Sequence, residues 1–317
     1  MYYPYLRGKQ FELILLRDNA KFIADNNFHP IIEPVKEDFK ALNKAIESLC
    51  LYGVEFTLII NPQVGSNPIL LSEISKLFDG LTPMGFSNCV SIGYVLTPTT
   101  DFIELENTVK NFSKFTFTLI HNGYTDGVNL SKIIEDMDNI SRHIFIEGKA
   151  GKLYQRNFCK NGIERILIRD GFKSQIKNSL YPKTEHFSDL HITYVDERMD
   201  AFGDYLIVGE DYSESGGPAY SIAIHLTYLD EQKDMYIFHF VSDRTDSPTD
   251  PGGKFLEALT KLYKETIKPN SKIFKTSAVQ AYLELYQKGH YPGLGSAKKL
   301  SMQHHIELMA EYLKNPV

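Results

Sequence analysis

The chain has 317 residues, of which 43% are hydrophobic and 23% charged, and its 34 basic and 40 acidic side chains give a formal charge of −6. This composition is typical of a globular protein, and it excludes an intrinsically disordered chain and a disulfide-stapled miniprotein. The mild acidic balance does not indicate a nucleic-acid partner, because nucleic-acid-binding domains usually carry a basic surface.

The cysteines and the lengths of the apolar runs indicate the cellular compartment in which the protein is expected. Cys50, Cys89 and Cys159 are far apart in sequence and form no CxxC spacing, so no structural zinc cluster is expected. So few cysteines are typical of a reducing compartment. The apolar runs are much shorter than the roughly 20 residues of a transmembrane helix, and no signal-peptide pattern is present. We therefore expect a cytoplasmic protein with no membrane partner.

Short β-branched runs recur along the chain, with amphipathic segments between most of them. Val, Ile, Tyr, Phe and Thr dominate these runs, and polar or Gly/Pro residues bound them, which indicates strands. The eight predicted strands are 31–35, 54–60, 90–96, 115–120, 143–147, 165–168, 191–195 and 204–208.

Alternation of strands and helices predicts βα units and a parallel sheet. Eight units in about 220 residues match a (β/α)8 TIM-like barrel. An open doubly wound sheet is the alternative, but its first crossover usually carries a Gly-rich turn. The segment PVKEDFKALN, which follows the first predicted strand, contains no glycine. The pattern therefore favours the barrel.

Two alternating runs after the eighth strand, joined by DEQK, predict a β-hairpin over 219–241. His225 and His239 fall on these runs and can face each other, which favours a plain cross-strand pair over a metal site. Helices are predicted over 255–267 and near 276–288 and 301–314. We expect one elaborated domain over 1–317, with the barrel over about 28–267 and a C-terminal helical extension over 276–314.

The N-terminal segment YYPYL precedes a basic turn, Arg7-Gly8-Lys9. It predicts a strand or a plug that closes the bottom of the barrel, with its tyrosines buried. Arg7 and Lys9 are then expected near the C-terminal tail or the base of the barrel, where they contribute to packing more than to catalysis. The other interpretation is that both cations point at a phosphate or at the acidic mouth.

In a barrel, functional residues lie at the C-terminal ends of the strands. Clustered carboxylates there repel one another unless cations or a divalent metal with oxygen ligands intervene, and acid–base or metal-assisted chemistry uses such clusters. Glu33 is the most suggestive, because it interrupts an apolar strand and must find a cation, a metal ion or a hydrogen-bond donor. We expect Lys149, Arg169 or a divalent ion in contact with it. The catalytic candidates are Glu33, Glu147, Lys149, Asp170 and Asp196, and the substrate-binding candidates are Asn61, His121, Arg169 and Glu210.

A simpler interpretation is that polar residues follow strands because loops are solvated, and for Asp196, Glu197 and Asp211 we favour it. No GxSxG, HExxH or GxxxxGKS motif occurs. Serine hydrolase, zincin and P-loop functions therefore have no support from a motif.

The opening PYLRGKQFEL together with FHPIIEPVK resembles the beta protein family of phages and bacterial mobile elements, and is most similar to its bacterial "sce" type. The resemblance implies a barrel-like fold in a phage-related setting, and a companion protein encoded by a neighbouring gene. It implies no reaction. Arg7, Lys9, Glu12 and Glu33 match the family's motif, without assigned roles.

Two functions remain open. The first is a barrel hydrolase acting on phosphoesters, in which Glu33 and Glu147 are metal ligands or acid–base residues and Lys149 or Arg169 neutralises developing charge. The second is a non-catalytic platform that binds a companion protein through the hairpin and the C-terminal helices. An enzyme requires the carboxylates to converge in one pocket, whereas a platform requires an exposed apolar patch near the hairpin.

Overall fold

The computed structural model describes residues 1–65, 75–78, 80, 85–159, 162–214 and 216–315. The chain divides into two compact units. The barrel unit comprises Met1–Arg169 and Thr193–Asp204, and the hairpin unit comprises Asp170–Ile192 and Tyr205–Val317. None of the helices formed by the described residues is long and apolar enough to cross a membrane.

The barrel unit is a closed barrel of eight parallel strands. Strand β8 (Thr184–Ser188) belongs to the hairpin unit, and β9 closes the barrel by pairing with both β7 and β1. In ring order the barrel strands are β1 (Tyr2–Leu6), β2 (Ile31–Ile32), β3 (Phe56–Ile59), β4 (Val90–Leu96), β5 (Thr116–His121), β6 (Ile140–Ile146), β7 (Glu164–Arg169) and β9 (Ala201–Asp204). The (β/α)8 prediction is confirmed, and the open sheet is excluded.

Glycine allows the closing strands to approach each other. A Cβ atom on Gly203 would lie 2.0 Å from the carbonyl oxygen of Tyr3 on the neighbouring strand. Because such a distance is far inside van der Waals contact, any larger residue there would push β9 away from β1. Tyr2 also joins these strands, since its hydroxyl donates to Asp204 Oδ1 at 2.7 Å.

Helices occupy the connections between the barrel strands, and side chains at helical spacing bury one face of each. In α3 the buried face includes Leu42, Ile46 and Leu49, as the sequence pattern predicts. Asp101 caps the next helix by accepting from the backbone N–H of Ile103 at 2.8 Å. The helices are α1 (Gln10–Asp18), α2 (Ala20–Asp25), α3 (Lys40–Leu51), α4 (Phe102–Asn111), α5 (Gly127–Ile133), α6 (Lys152–Gln155) and α7 (Leu190–Thr193).

Two of the eight predicted strands are wrong. The run 191–195 forms the end of α7 and a turn, because the Ser188 hydroxyl accepts from the backbone N–H of Leu190 at 3.1 Å and starts a helical turn. The run 204–208 lies almost entirely after β9. The two barrel strands missing from the predicted eight are β1 and β9. The N-terminal segment is therefore a strand of the barrel wall, and Tyr2, Tyr3 and Tyr5 are buried as expected.

The hairpin unit is a three-stranded antiparallel sheet with three helices. The sheet has the order β10 (Ala223–Leu229), β11 (Met235–Val241), β8, and the first two form the predicted hairpin. The helices are α8 (Pro251–Thr266), α9 (Ser277–Lys288) and α10 (Leu294–Lys314). Helix α8 begins earlier than predicted, because the Asp250 side chain accepts from the backbone N–H of Gly253 at 2.9 Å.

The two faces of this sheet differ in chemistry. One face is apolar and belongs to the same buried cluster as Phe255, Leu259 and Tyr282 of the helices. The opposite face carries histidine, threonine and glutamate side chains among apolar ones such as Met235 and Ile237. The apolar face is formed by Ile224, Leu226, Tyr228, Phe238 and Phe240.

Candidate functional site

The C-terminal rim of the barrel strands, here called the mouth, contains a buried ion pair. Arg7 follows β1 and Glu33 follows β2, and Arg7 Nε lies 3.2 Å from Glu33 Oε2 with the two side chains only 8% and 3% exposed. The Tyr5 hydroxyl donates to the same oxygen at 2.8 Å, and the backbone N–H of Gln63 donates to Oε1 at 2.8 Å. Both oxygens of Glu33 are therefore engaged.

Two expectations about this pair are wrong. The side-chain cation that pairs with Glu33 is Arg7, and neither Lys149 nor Arg169. Arg7 lies at the mouth and not at the base of the barrel, because the segment before it is a parallel strand that ends at the mouth. Parallel neighbouring strands bring their C-terminal ends to the same edge, so two residues far apart in sequence meet there.

The Arg-Gly-Lys turn is held in place by close contacts. Gly8 has a φ of 60°, a left-handed conformation that favours glycine, and a Cβ there would lie 3.0 Å from the carbonyl oxygen of Glu33. The backbone N–H of Arg7 donates at 2.5 Å to Glu12 Oε2, a buried carboxylate in the first turn of α1. The Arg7 guanidinium carbon also lies 5.6 Å from the centre of the Tyr5 ring. These contacts fix the position of the arginine.

Lys9 adds a second cation to the turn. Partial burial lowers the pKa of its ammonium group, the nearby charges of Arg7 and Lys36 lower it further, and Glu12 acts in the opposite direction. Lost hydration and neighbouring cations destabilise the charged form of an ammonium group, and a bound anion would stabilise that form.

A second carboxylate–arginine pair lies at the ends of β6 and β7. Arg169 Nε donates to both oxygens of Glu147, at 2.9 Å and 2.8 Å. This pair is more open than the first, with side chains 20% and 42% exposed. In both pairs a glutamate that follows one strand holds the arginine of a neighbouring strand. Lys149 is exposed in the turn after β6.

Two other predicted acids form no such pair with an arginine of the barrel strands in any contact described here. Asp196 is exposed and lies shortly before β9, because the run that precedes it is not a strand, and so it is not at the C-terminal end of a strand. Asp170 belongs to the hairpin unit, where its carboxylate accepts from the backbone N–H groups of Phe172 at 2.9 Å and Glu210 at 2.8 Å. Asp170 therefore joins two loops, and Glu210 takes part in this contact through its backbone.

The predicted residues Asn61 and His121 lie in the barrel wall. The Asn61 side chain donates to the carbonyl of Val95 at 2.9 Å and accepts from its N–H at 2.8 Å, which links β3 to β4. His121 is fully buried, with Nδ1 2.7 Å from the Tyr154 hydroxyl and Nε2 3.0 Å from His143 Nδ1. Burial, helped by His143 and Arg165, lowers the pKa of His121 well below its usual value, so its ring is neutral.

The carboxylates do not form a metal cage. Within the ranges that the structure describes, no group of three or more His, Cys, Asp or Glu side chains is arranged to hold a metal ion. The mouth is instead built of paired charges, in which each glutamate orients an arginine. The sequence shows these glutamates as strand-end acids and Arg169 as a cation among them, but it gives no sign that Arg7 is the partner of Glu33.

The hairpin unit confirms the expected histidine contact. His225 and His239 are directly opposite on β10 and β11, and their Nδ1 atoms are 2.7 Å apart. Sequence reasoning missed Glu185 on β8, whose Oε1 lies 3.0 Å from His239 Nε2. Its strand, TEHFS, is short and polar and therefore carries no strand pattern.

Comparisons with known proteins add little to this geometry. No protein-family model and no curated protein matches the chain. Among solved structures, it is similar to N-acetylneuraminate lyase from Mycoplasma synoviae, at 8% identity and a TM-score of 0.43 over 98% of this chain and 95% of that one.

Two further solved structures are similar at the same level. A protein titled as a member of the dihydrodipicolinate synthase family, from Coccidioides immitis, has 9% identity and a TM-score of 0.43 over 100% of this chain and 88% of that one. Ligand-free tryptophan synthase from M. tuberculosis has 10% identity and a TM-score of 0.40 over 65% and 83% of the two chains. The barrel assignment rests on the strand order of the chain itself.

Proposed function

We propose that the barrel is a phosphoester hydrolase whose mouth binds the phosphate group through arginines. The observation that supports this is the repeated carboxylate–arginine pair, Glu33 with Arg7 and Glu147 with Arg169. A guanidinium group matches the geometry of phosphate oxygens and stays charged at all working pH values. A carboxylate behind it fixes its orientation before the substrate arrives.

In this mechanism the glutamates are positioning residues. Both oxygens of Glu33 already accept contacts from Arg7, Tyr5 and Gln63, and both oxygens of Glu147 accept from Arg169. The arginines stabilise the negative charge that develops on the phosphoryl oxygens in the transition state. Only β9 separates the strands that carry them in the ring, so one ligand can approach both.

The test combines binding with turnover. Inorganic phosphate is titrated by calorimetry, and hydrolysis of p-nitrophenyl phosphate and bis(p-nitrophenyl) phosphate is followed by absorbance, for the wild type, Arg7→Gln and Arg169→Gln. Loss of one charged contact is worth about 1.5–3 kcal/mol, so each variant should bind phosphate roughly 10- to 100-fold more weakly. The control is Arg17→Gln, which removes an exposed arginine paired with Asp18 on α1. Equal affinity in all four proteins, or no hydrolysis by the wild type, would overturn the proposal.

A second candidate, a platform for a companion protein, is favoured by an apolar patch near the hairpin. Ile176 is 95% exposed, Leu180 and Tyr220 are also exposed, and the Asn178 side chain holds this loop against the carbonyl of Ser221 at 2.9 Å. The product of the neighbouring gene, implied by the resemblance to the beta protein family, is the partner to test. Co-elution in size-exclusion chromatography that is lost in Ile176→Asp but kept in Ile103→Asp would support it, since Ile103 is another exposed isoleucine, on α4. Separate elution of the two wild-type proteins would exclude it.

A further inference from the structure

The polar face of the hairpin sheet carries a chain of three ionisable side chains, one from each strand. Glu185 on β8 contacts His239 on β11, with Oε1 and Nε2 3.0 Å apart. His239 in turn contacts His225 on β10, with their Nδ1 atoms 2.7 Å apart. We call Glu185, His239 and His225 the histidine relay.

The contacts determine which ring nitrogens carry protons. An ionised carboxylate only accepts hydrogen bonds, so His239 Nε2 must be the donor to Glu185. In a neutral ring the other nitrogen then accepts, so His239 Nδ1 accepts from Nδ1–H of His225. It follows that His225 Nε2 carries the lone pair. Within the described ranges, no hydrogen bond engages this Nε2, and the residue is only partly buried.

The surroundings keep both rings neutral. Burial lowers the pKa of His225 well below its usual value, and His239 and the Lys298 ammonium add to the shift. Burial also lowers the pKa of His239, although Glu185 acts in the opposite direction. The Tyr181 ring stacks on His239 with centroids 4.6 Å apart, and Phe172 meets His225 edge-on at 5.1 Å. The base form of His225 is thus the form present at neutral pH.

The contrast with the other face of the sheet indicates that packing alone does not require this chain. On that face, Ile224, Leu226 and Phe240 pack into the apolar cluster formed with the helices. Burying two imidazoles and a carboxylate costs free energy unless every polar atom finds a partner. Here the bonds run in one direction and end at a single partly exposed acceptor, which is the arrangement of a general base and its orienting groups.

We propose that the histidine relay is a second catalytic site, which hydrolyses carboxylic esters independently of the barrel mouth. His225 Nε2 takes a proton from water while the water oxygen forms a bond to the ester carbonyl carbon. The tetrahedral intermediate carries one negative charge, and the single ammonium group of Lys298 matches it. When the carbon–oxygen bond to the leaving group breaks, the alkoxide takes the proton back from His225, and an acid and an alcohol leave.

The first experiment separates the base from its packing. Asparagine can place an amide N–H near the position of Nδ1, so His225→Asn keeps a donor towards His239 and removes Nε2. Hydrolysis of p-nitrophenyl acetate should fall at least 10-fold in His225→Asn and stay unchanged in His186→Asn, an exposed histidine of β8 that contacts Asp234. Ester hydrolysis reports on the relay and the phosphate titration reports on the mouth, so failure of the relay and failure of the mouth are distinguishable. An unchanged rate in His225→Asn would overturn the proposal, and so would an equal loss in the control.

The second experiment reads the relay without turnover. Two-bond ¹⁵N–¹H correlation spectra report which ring nitrogen carries the proton, and we expect Nδ1–H for His225 and Nε2–H for His239.

A kinetic test addresses the role of Glu185. Glu185→Gln should lower kcat while KM stays unchanged, because Glu185 positions the base and does not touch the substrate. The opposite tautomers, or an effect of Glu185→Gln on KM alone, would exclude the relay.

Discussion

The mouth of the barrel and the histidine relay both contain buried ionisable groups, but the free-energy cost of burying these groups is offset in different ways. The mouth keeps full charges and pairs them, as in Arg7 with Glu33. The relay contains one carboxylate, and its two imidazoles are neutral because burial lowers their pKa values. A charge without a partner in a protein interior costs several kcal/mol, whereas a neutral polar group needs only a hydrogen bond. The comparison teaches that the same substitution should have very different effects in the two regions.

The largest expected effect is that of Glu33→Gln. It leaves the buried Arg7 guanidinium without its counter-charge, and breaking a buried pair in this way typically costs about 3–5 kcal/mol. The matched control is Glu147→Gln, in the more exposed pair with Arg169, where we expect at most about 1 kcal/mol. Urea unfolding followed by circular dichroism measures both. Similar losses in the two variants would contradict the distinction between buried and open pairs.

Buried histidines should make the protein less stable in mild acid. Burial lowers the pKa of His304 to about 4, and the backbone carbonyl of Thr227 opposes the shift. In the unfolded chain this histidine has a pKa of about 6.5. Below that pH the unfolded chain binds a proton here and the folded protein does not. The contribution of each buried neutral histidine to the free energy of unfolding is therefore complete above about pH 6.5. As the pH falls from there to the folded pKa, this contribution decreases by about 1.4 kcal/mol per pH unit.

The measurement is the free energy of unfolding between pH 7.5 and 4.5. The variant His304→Gln should show a smaller slope by one proton, whatever its stability at neutral pH. A wild-type curve that is flat between pH 7 and 5 would show that the buried histidines titrate normally.

In the relay, Glu185→Gln should cost only about 1–1.5 kcal/mol. Glutamine keeps a side-chain oxygen that accepts from His239 Nε2, so the neutral hydrogen bond survives and only its charged character is lost. The comparison with Glu33→Gln is direct, because the same atoms change in both. If Glu185→Gln destabilises the protein as strongly as Glu33→Gln, the imidazoles are charged and the relay argument fails.

The smallest expected effect is at the cap of α4. Asp101→Ala removes the bond from the backbone N–H of Ile103 and should cost about 0.5–1 kcal/mol. Asp101→Asn keeps an accepting oxygen and should lose about half of that or less. This pair of variants calibrates an exposed polar contact against the two buried regions in the same urea titration.

Local sequence patterns predicted the strands that dominate the barrel. Strand β4 was predicted with its bounds, 90–96, because a long β-branched and aromatic run has few alternatives. The hairpin was predicted for the same reason, whereas the helices after it were predicted from apolar residues at helical spacing. The sequence pattern failed for the run HITYV, where a Ser188 hydroxyl starts a helical turn and outweighs strand propensity.

The candidate sites were predicted only in part. Glu33, Glu147 and Arg169 were identified from their positions at strand ends, and the structure shows the contacts that they make. Their partners could not be identified, because Arg7 meets Glu33 only when β1 takes its place beside β2. Cys50 and Cys89 are another pair of residues that are far apart in sequence and in contact in the fold. Burial together with this contact raises the pKa of the Cys50 thiol to about 12.

The sequence by itself determined the alternation of strands and helices, the hairpin, and the glutamates at the strand ends, because these depend on residues close along the chain. Tertiary structure decided which strand closes the barrel, which arginine each glutamate holds, and which carboxylate completes the histidine relay. The physical reason is separation along the chain. Tyr2 bonds Asp204 across 202 residues and His239 bonds Glu185 across 54, and such partners are chosen by strand pairing and closure, which no local pattern encodes.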